Sequence, residues 1–188
     1  MKTVVITEDT DGIGRGLARI HLKGGGWVVA VGTDKAEPGA WFVRTDLELI
    51  DENRRLIDRL SAELVTVEVL ALGARFQRSR RTETADGLEF HFVNRHPAIR
   101  YVNNFPGTVA TSFPGDYDEA ETAQISRLRA TGEPVETAAK EVLPFLDSGT
   151  PGRPVAVSEG VAVPLARQAS SPACARWLYD CTREVLAR

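Results

Sequence analysis

The stretch TVVITEDTDGIGRGLAR, residues 3–19, decides the fold. Its first five residues are a short β-branched run, which predicts a strand buried on both faces. A turn carrying Gly12 and Gly14 follows, and then a helix with Ile13, Leu17 and Ile20 on one face. Working outward, Gly24-Gly25-Gly26 ends that helix, Trp27 to Val31 reads as a second strand and Trp41 to Val43 as a third. Asp46 is placed to cap the next helix, whose apolar stripe is Ile50, Ile57, Leu60 and Leu64. Val65 to Leu72 is the fourth strand. Strands alternating with helices of this length predict right-handed crossovers and a parallel sheet.

Beyond the fourth strand the chain turns polar, with Arg75, Arg78, Arg80 and Arg81 close together. A helix from about Thr84 carries Leu88 and Phe92 and stops at Pro97, which cannot continue it. Ile99 to Asn103 reads as a strand leading into Phe105-Pro106-Gly107. Helices are expected over 117–130 and 134–146, and a strand over Pro154 to Val157. A last helix opens at Ser171-Pro172, an N-cap followed by proline, and its stripe of Cys174, Trp177, Leu178, Cys181 and Val185 is expected to be buried. No repeat, low-complexity tract or linker interrupts the chain, so residues 1–188 are expected to form one domain.

Composition narrows the function classes. At 188 residues, 43% hydrophobic and 26% charged, the chain is long enough for a proper core and ordinary for a globular protein. A net charge of −3 gives no general attraction to nucleic acid or to an anionic membrane. The apolar runs are too short to span a bilayer. MKTVVITE at the N-terminus begins a strand and has no signal-peptide core, so cytoplasmic residence is the expectation. Two cysteines make neither a disulfide framework nor a zinc site.

Several segments in order carry a resemblance. Thr7, Gly12, Ile13 and Gly14 match the cofactor loop T-G-x-x-x-G-x-G of the short-chain dehydrogenase/reductases. Asp46-Leu47 resembles the family's Asp near the adenine ring. Ala71-Leu72-Gly73-Ala74 stands where the family has N-N-A-G, and matches poorly. Glu89 to Arg95 resembles the helix bearing the Asn of the catalytic tetrad, which would be Asn94. Pro106-Gly107-Thr108-Val109-Ala110-Thr111 matches P-G-x-V-x-T. The resemblance covers most of the chain and implies an α/β, Rossmann-like three-layer sandwich with a mostly parallel sheet. It also implies a cofactor loop of Gly12, Ile13, Gly14 and Asp46, here vestigial.

The departures bear more on function. Family members place a strand with the catalytic Ser and a helix with Tyr-x-x-x-Lys between the Asn helix and the P-G segment. Here only Pro97 to Phe105 lies there, and one strand uses it up, whereas a βαβ-type unit needs about 30 residues. The fold is expected to be one strand–helix unit shorter than the family. No tyrosine elsewhere is followed four residues on by lysine: Tyr101 meets Phe105, Tyr117 meets Glu121 and Tyr179 meets Arg183. Hydride chemistry of the family's kind is therefore not expected. The loop's first glycine is replaced by Glu8, followed by Asp9. A carboxylate about 4 Å from a phosphate costs roughly 1 kcal/mol in water and about 4 kcal/mol at the effective dielectric of a protein surface. No cofactor is expected; NAD(P) is possible but disfavoured by Glu8 and Asp9.

Loops at the carboxyl ends of parallel strands gather around one crevice. Glu8 and Asp9 are candidates there for acid/base work; the alternative is that they only satisfy N–H groups at the start of the first helix. Asn94 and Tyr101 complete the catalytic candidates, and Thr7, Arg75, His91, Asn103, Phe105 and Thr111 are candidates to bind substrate. His91 and His96 would titrate near neutrality, Arg75 would pair with a substrate anion, and Trp27 and Trp41 are read as core. The leading expectation is a redox-independent cyclase, isomerase or lyase acting on a small organic, natural-product-like substrate in the former cofactor cleft. A catalytically inactive pseudo-dehydrogenase serving as a binding or scaffold protein is the first alternative, and a residual NAD(P)-dependent oxidoreductase the second. The missing unit should uncover apolar surface, so a homo-oligomer through a non-family interface is also expected.

Overall fold

In the computed structural model the described residues are 2–8, 11–73, 85, 102–113, 115–146, 155–164, 176–177, 180–181 and 183–184, with 77–78 for their backbone only. The chain divides into two compact units, Met1–Phe90 with Thr108–Glu141 and His91–Gly107 with Val142–Arg188.

The first unit is built on β1 (Thr3–Thr7), α1 (Gly12–Lys23), β2 (Trp27–Gly32), β3 (Trp41–Arg44), α2 (Ile50–Glu63) and β4 (Val69–Leu72). The four strands form a parallel sheet in the order β3-β2-β1-β4. Chain direction across this sheet reverses once. The β1 to β2 step runs one way and the β3 to β4 step the other, so right-handed crossovers place α1 and α2 on opposite faces. Burial follows from that arrangement. Val4, Val5, Ile6 and Val28 through Val31 are all buried, as a strand covered on both faces requires. Val5, Val29, Val31 and Val43 form the core under α2, closed by Trp41, Leu47, Leu56, Leu60 and Leu64.

The same unit continues with the two-residue strand β5 (Gln77–Arg78), which pairs in parallel with β7 (Gly115–Asp116). Between them in sequence lies β6 (Val102–Phe105), which belongs to the second unit; β7 leads into α3 (Glu119–Thr131) and α4 (Val135–Leu146). Asp118 caps α3 by accepting from the Glu121 N–H at 2.9 Å. Gly16 lets α1 and α4 approach closely, because a Cβ there would stand 2.9 Å from the Ala139 Cβ.

The second unit holds a three-stranded sheet in the order β6-β8-β9, with β8 (Val155–Ser158) parallel to β6 and antiparallel to β9 (Val161–Val163). Glu159 and Gly160 join β8 to β9, both with positive φ, the two-residue turn whose twist suits a hairpin.

Several expectations need correcting. The fourth strand begins at Val69 rather than Val65, and Val65 is fully exposed. On α1 the buried positions are Gly12, Gly14, Gly16, Leu17 and Ala18, with Ile13 and Ile20 half-buried. On α2 the packed stripe runs through Leu56, Leu60 and Leu64, and Ile57 is 61% exposed. Asp46 does not cap α2, whose N-cap is Leu49. The Asp46 carboxylate instead accepts from the Glu48 N–H at 3.0 Å. Trp27, read as core, is exposed; it stacks on Trp41 with centroids 6.0 Å apart, and only Trp41 packs against the core. Trp177 is 68% exposed, against the buried stripe expected of the last helix. The helix expected from Thr84 and the start of the last helix lie outside the described residues.

Candidate functional site

The reversal of chain direction falls between β1 and β4, the position at which open α/β sheets hold their ligands. The sequence shapes it with two close contacts. Thr7, buried at the end of β1, accepts the Gly73 N–H on its hydroxyl at 3.0 Å and on its carbonyl at 3.2 Å. Gly73 tolerates this approach only because it lacks a side chain: a Cβ there would lie 2.7 Å from the Thr7 carbonyl oxygen. The Thr7 hydroxyl thereby helps lace the two strands together.

Glu8 comes next, half-buried, with φ of 58° and its N–H donated to the Val31 carbonyl at 2.8 Å. This is the left-handed region, which costs a residue with a Cβ about 1–2 kcal/mol and costs glycine almost nothing. Backbone strain of this kind persists only where the surroundings enforce it, and it gathers at functional sites. Glu8→Gly is expected to raise stability by about 1 kcal/mol, seen as a Tm increase of roughly 2–4 °C. A fall in Tm would mean that the side chain contributes more than the strain costs.

The start of α1 is tied to the P-G segment. Gly12 has φ of 59°, and an added Cβ would stand 3.1 Å from the Thr111 Cγ2. Asp11, the N-cap of α1, does not cap its own helix; its carboxylate accepts the Ser112 N–H at 2.7 Å. Thr111 in turn accepts the Phe113 N–H on its hydroxyl at 3.3 Å, and Phe113 is itself left-handed with φ of 45°. Burial acts to raise the Asp11 carboxyl. Hydrogen bonds from Ser112, the Gly12 backbone and the Arg15 charge together outweigh it and hold the pKa below the usual carboxylate value. A lowered folded-state pKa stabilises the protein above the unfolded carboxylate pKa, and the gain is lost as pH falls through the folded value. Asp11→Ala should therefore cost about 1 kcal/mol at neutral pH and much less in acid. Thermal melts of both proteins across that range would show the difference close; a constant gap would remove the assignment.

One turn further along α1, Arg15 and Arg19 donate to the two oxygens of Glu37 at 2.8 and 2.9 Å. The hydrogen bond from Arg15, then that from Arg19, hold the Glu37 carboxyl below its usual range. Asp11, Gly12, Arg15 and Arg19 line one side of a hollow of about 280 Å³, with Ala110 and Glu136 on the other.

The structure thus brings Thr7, Glu8, Gly12, Ile13, Gly14 and Thr111 to one end of the first unit. Asp46 also lies beyond a carboxyl strand end, its N–H donated to Glu52 at 2.6 Å. Asn103 and Phe105 sit on β6 in the second unit, where Phe105 is exposed. Asp9, Arg75, His91, Asn94, His96 and Tyr101 lie outside the described residues. Sequence reasoning missed Asp11, Ser112 and Glu37. An aspartate directly before a helix-opening glycine was the available signal for Asp11; nothing local marked its partner. Among the described residues no group of three or more His, Cys, Asp or Glu is placed to hold a metal, and no helix is long and apolar enough to cross a membrane.

A parallel sheet reversed at one point, with a glycine-bearing turn at that reversal, defines a Rossmann-like α/β protein. More particularly, the chain has the fold of the short-chain dehydrogenase/reductases. A short-chain dehydrogenase from Streptomyces avermitilis superposes with a TM-score of 0.58 at 12% identity, over 99% of this chain and 94% of that one. Ligand-free aldohexose dehydrogenase from Thermoplasma acidophilum gives 0.57 at 14% identity, over 91% and 95%. A short chain dehydrogenase family protein from Francisella tularensis gives 0.57 at 12% identity, over 86% and 98%. Other alignments are local: a Salmonella enterica short chain dehydrogenase matches over 39% of this chain and 36% of its own length, with a TM-score of 0.35. Sequence comparison gives no match to any family model or to any curated protein.

Proposed function

We propose that this chain uses a dehydrogenase-like fold for chemistry without hydride transfer, as a cyclase, isomerase or lyase on a small organic substrate. Glu8 is its acid/base group. The single observation carrying the reading is Glu8 itself, a carboxylate held in left-handed backbone where the fold's nucleotide-binding relatives write glycine.

The nicotinamide cofactor that the fold implies fits these residues poorly. A pyrophosphate is drawn to the N–H groups and positive end of a helix N-terminus. At the start of α1 the negative charge of Asp11 is already in place, tied to Ser112. Glu8 adds a second carboxylate nearby in sequence, and the side chains of Arg15 and Arg19 pair with Glu37. No step in the proposed reaction passes through a nicotinamide. In it Glu8 takes a proton from one position of the bound substrate and returns it to another. For a lyase, the proton goes to the leaving group.

Support for the inactive binding-protein reading comes from the Asp11–Ser112 bond, which ties the residue after the P-G segment to the start of α1. One experiment separates these readings. Small-molecule extract from cells lacking this protein is incubated with it, with and without NADPH, and profiled by mass spectrometry. The proposal expects a compound consumed without nicotinamide, giving a product of equal mass or fragments that sum to it. Conversion that needs NADPH and changes the mass by two hydrogens overturns it, and no conversion at all favours the binding protein.

A further inference from the structure

The outer edge of the four-stranded sheet carries a second feature, separate from the crevice. Where β3 ends beside α2, Arg44 and Thr45 from the strand side and Glu52, Arg55 and Arg59 from the helix enclose a depression of about 200 Å³. Three arginines face one carboxylate there. Glu52 is largely committed: one oxygen accepts the Asp46 N–H at 2.6 Å, and the other lies 3.8 Å from Arg55. Arg44 has no carboxylate within 4 Å among the described residues. Arg55 and Arg59 are one turn apart on α2 and so share a face. Arg59 is held in place, its guanidinium 5.1 Å from the Trp41 ring centroid and its Nε 3.3 Å from Glu63.

Planar guanidinium groups converging with a hydroxyl are suited to the oxygens of a dianion, each able to offer two parallel N–H donors. The depression has room for one phosphate group and a few attached atoms, well short of a dinucleotide. The whole chain carries a net charge of −3, which argues against an extended polyanion such as nucleic acid. We propose that this depression binds the phosphate group of a small phosphorylated molecule, gripped by Arg44 and Arg55 with Arg59 closing one side.

Trp41 supplies the readout, because an anion that draws on the Arg59 guanidinium alters the ring beneath it. The intact chain is titrated with glycerol 3-phosphate at fixed ionic strength while tryptophan fluorescence is followed, with glycerol and chloride as controls. A saturable change with a millimolar midpoint is expected for the phosphate ester alone. Arg44→Ala and Arg55→Ala together should weaken it at least about tenfold. Arg55→Lys, which keeps the charge and loses the fork, should fall between, and Glu8→Gln should leave binding unchanged. Both arginines are exposed, so a fold retained by circular dichroism is the expected background. A non-saturating response, an equal effect of chloride, or full binding by the double variant would overturn the proposal. So would much tighter binding of a phosphoserine peptide than of the small ester.

Discussion

Glu8→Gln is expected to lower turnover of the chain's substrate by about 10²–10⁴-fold, the usual contribution of a positioned acid or base. That is roughly 3–5 kcal/mol on the barrier. The substitution keeps the size of the side chain, removes its charge and its proton-accepting carboxylate, and turns one acceptor oxygen into an NH2 donor. The left-handed backbone at Glu8 costs glutamine what it costs glutamate, so the substitution neither adds nor relieves backbone strain. The loss should appear in kcat with little change in KM, because binding the substrate does not require the proton. Glu8→Asp should retain part of the activity, with the carboxylate drawn back by one methylene. Turnover within twofold of wild type for Glu8→Gln would remove Glu8 from the mechanism.

Gly73→Ala is expected to cost about 3 kcal/mol of stability. The added Cβ would sit 2.7 Å from the Thr7 carbonyl oxygen, a backbone atom that cannot swing aside. Relief requires β1 and β4 to part at their carboxyl ends, which strains packing by about 1–3 kcal/mol. It also breaks the bonds from the Gly73 N–H to Thr7, at about 1 kcal/mol. A drop in Tm of roughly 6–12 °C follows for a chain of this size. Thr7→Val removes the hydroxyl and keeps the backbone contact, so it should cost only about 1 kcal/mol. If Gly73→Ala melted like wild type, the close approach at the crevice would be wrong.

The sheet was legible because its strands are the strongest local signal in the chain. TVVIT and WVVAV are β-branched runs that bury both faces, and the alternation with helices leaves little choice of topology. Phase was harder than existence. Leu56 and Ile57 are one residue and about 100° apart on a helix, and both fit an apolar stripe; only the packed structure shows Leu56 inside and Ile57 outside. The β8–β9 hairpin is written in VAVSEGVAV, two alternating runs around a Glu-Gly turn, of which only the first run is read as a strand from the sequence. Glu8 stood out as the wrong residue at a glycine position. The Asp11 bond to Ser112 spans 101 residues of sequence, and no local pattern foretells a contact that tertiary packing creates.

The central claim is that the turn after β1 has exchanged a dinucleotide for a carboxylate. Isothermal titration of the intact chain with NADPH and then NADH tests it most directly. The account predicts no saturable heat below millimolar concentration for either; micromolar binding of one of them would contradict it.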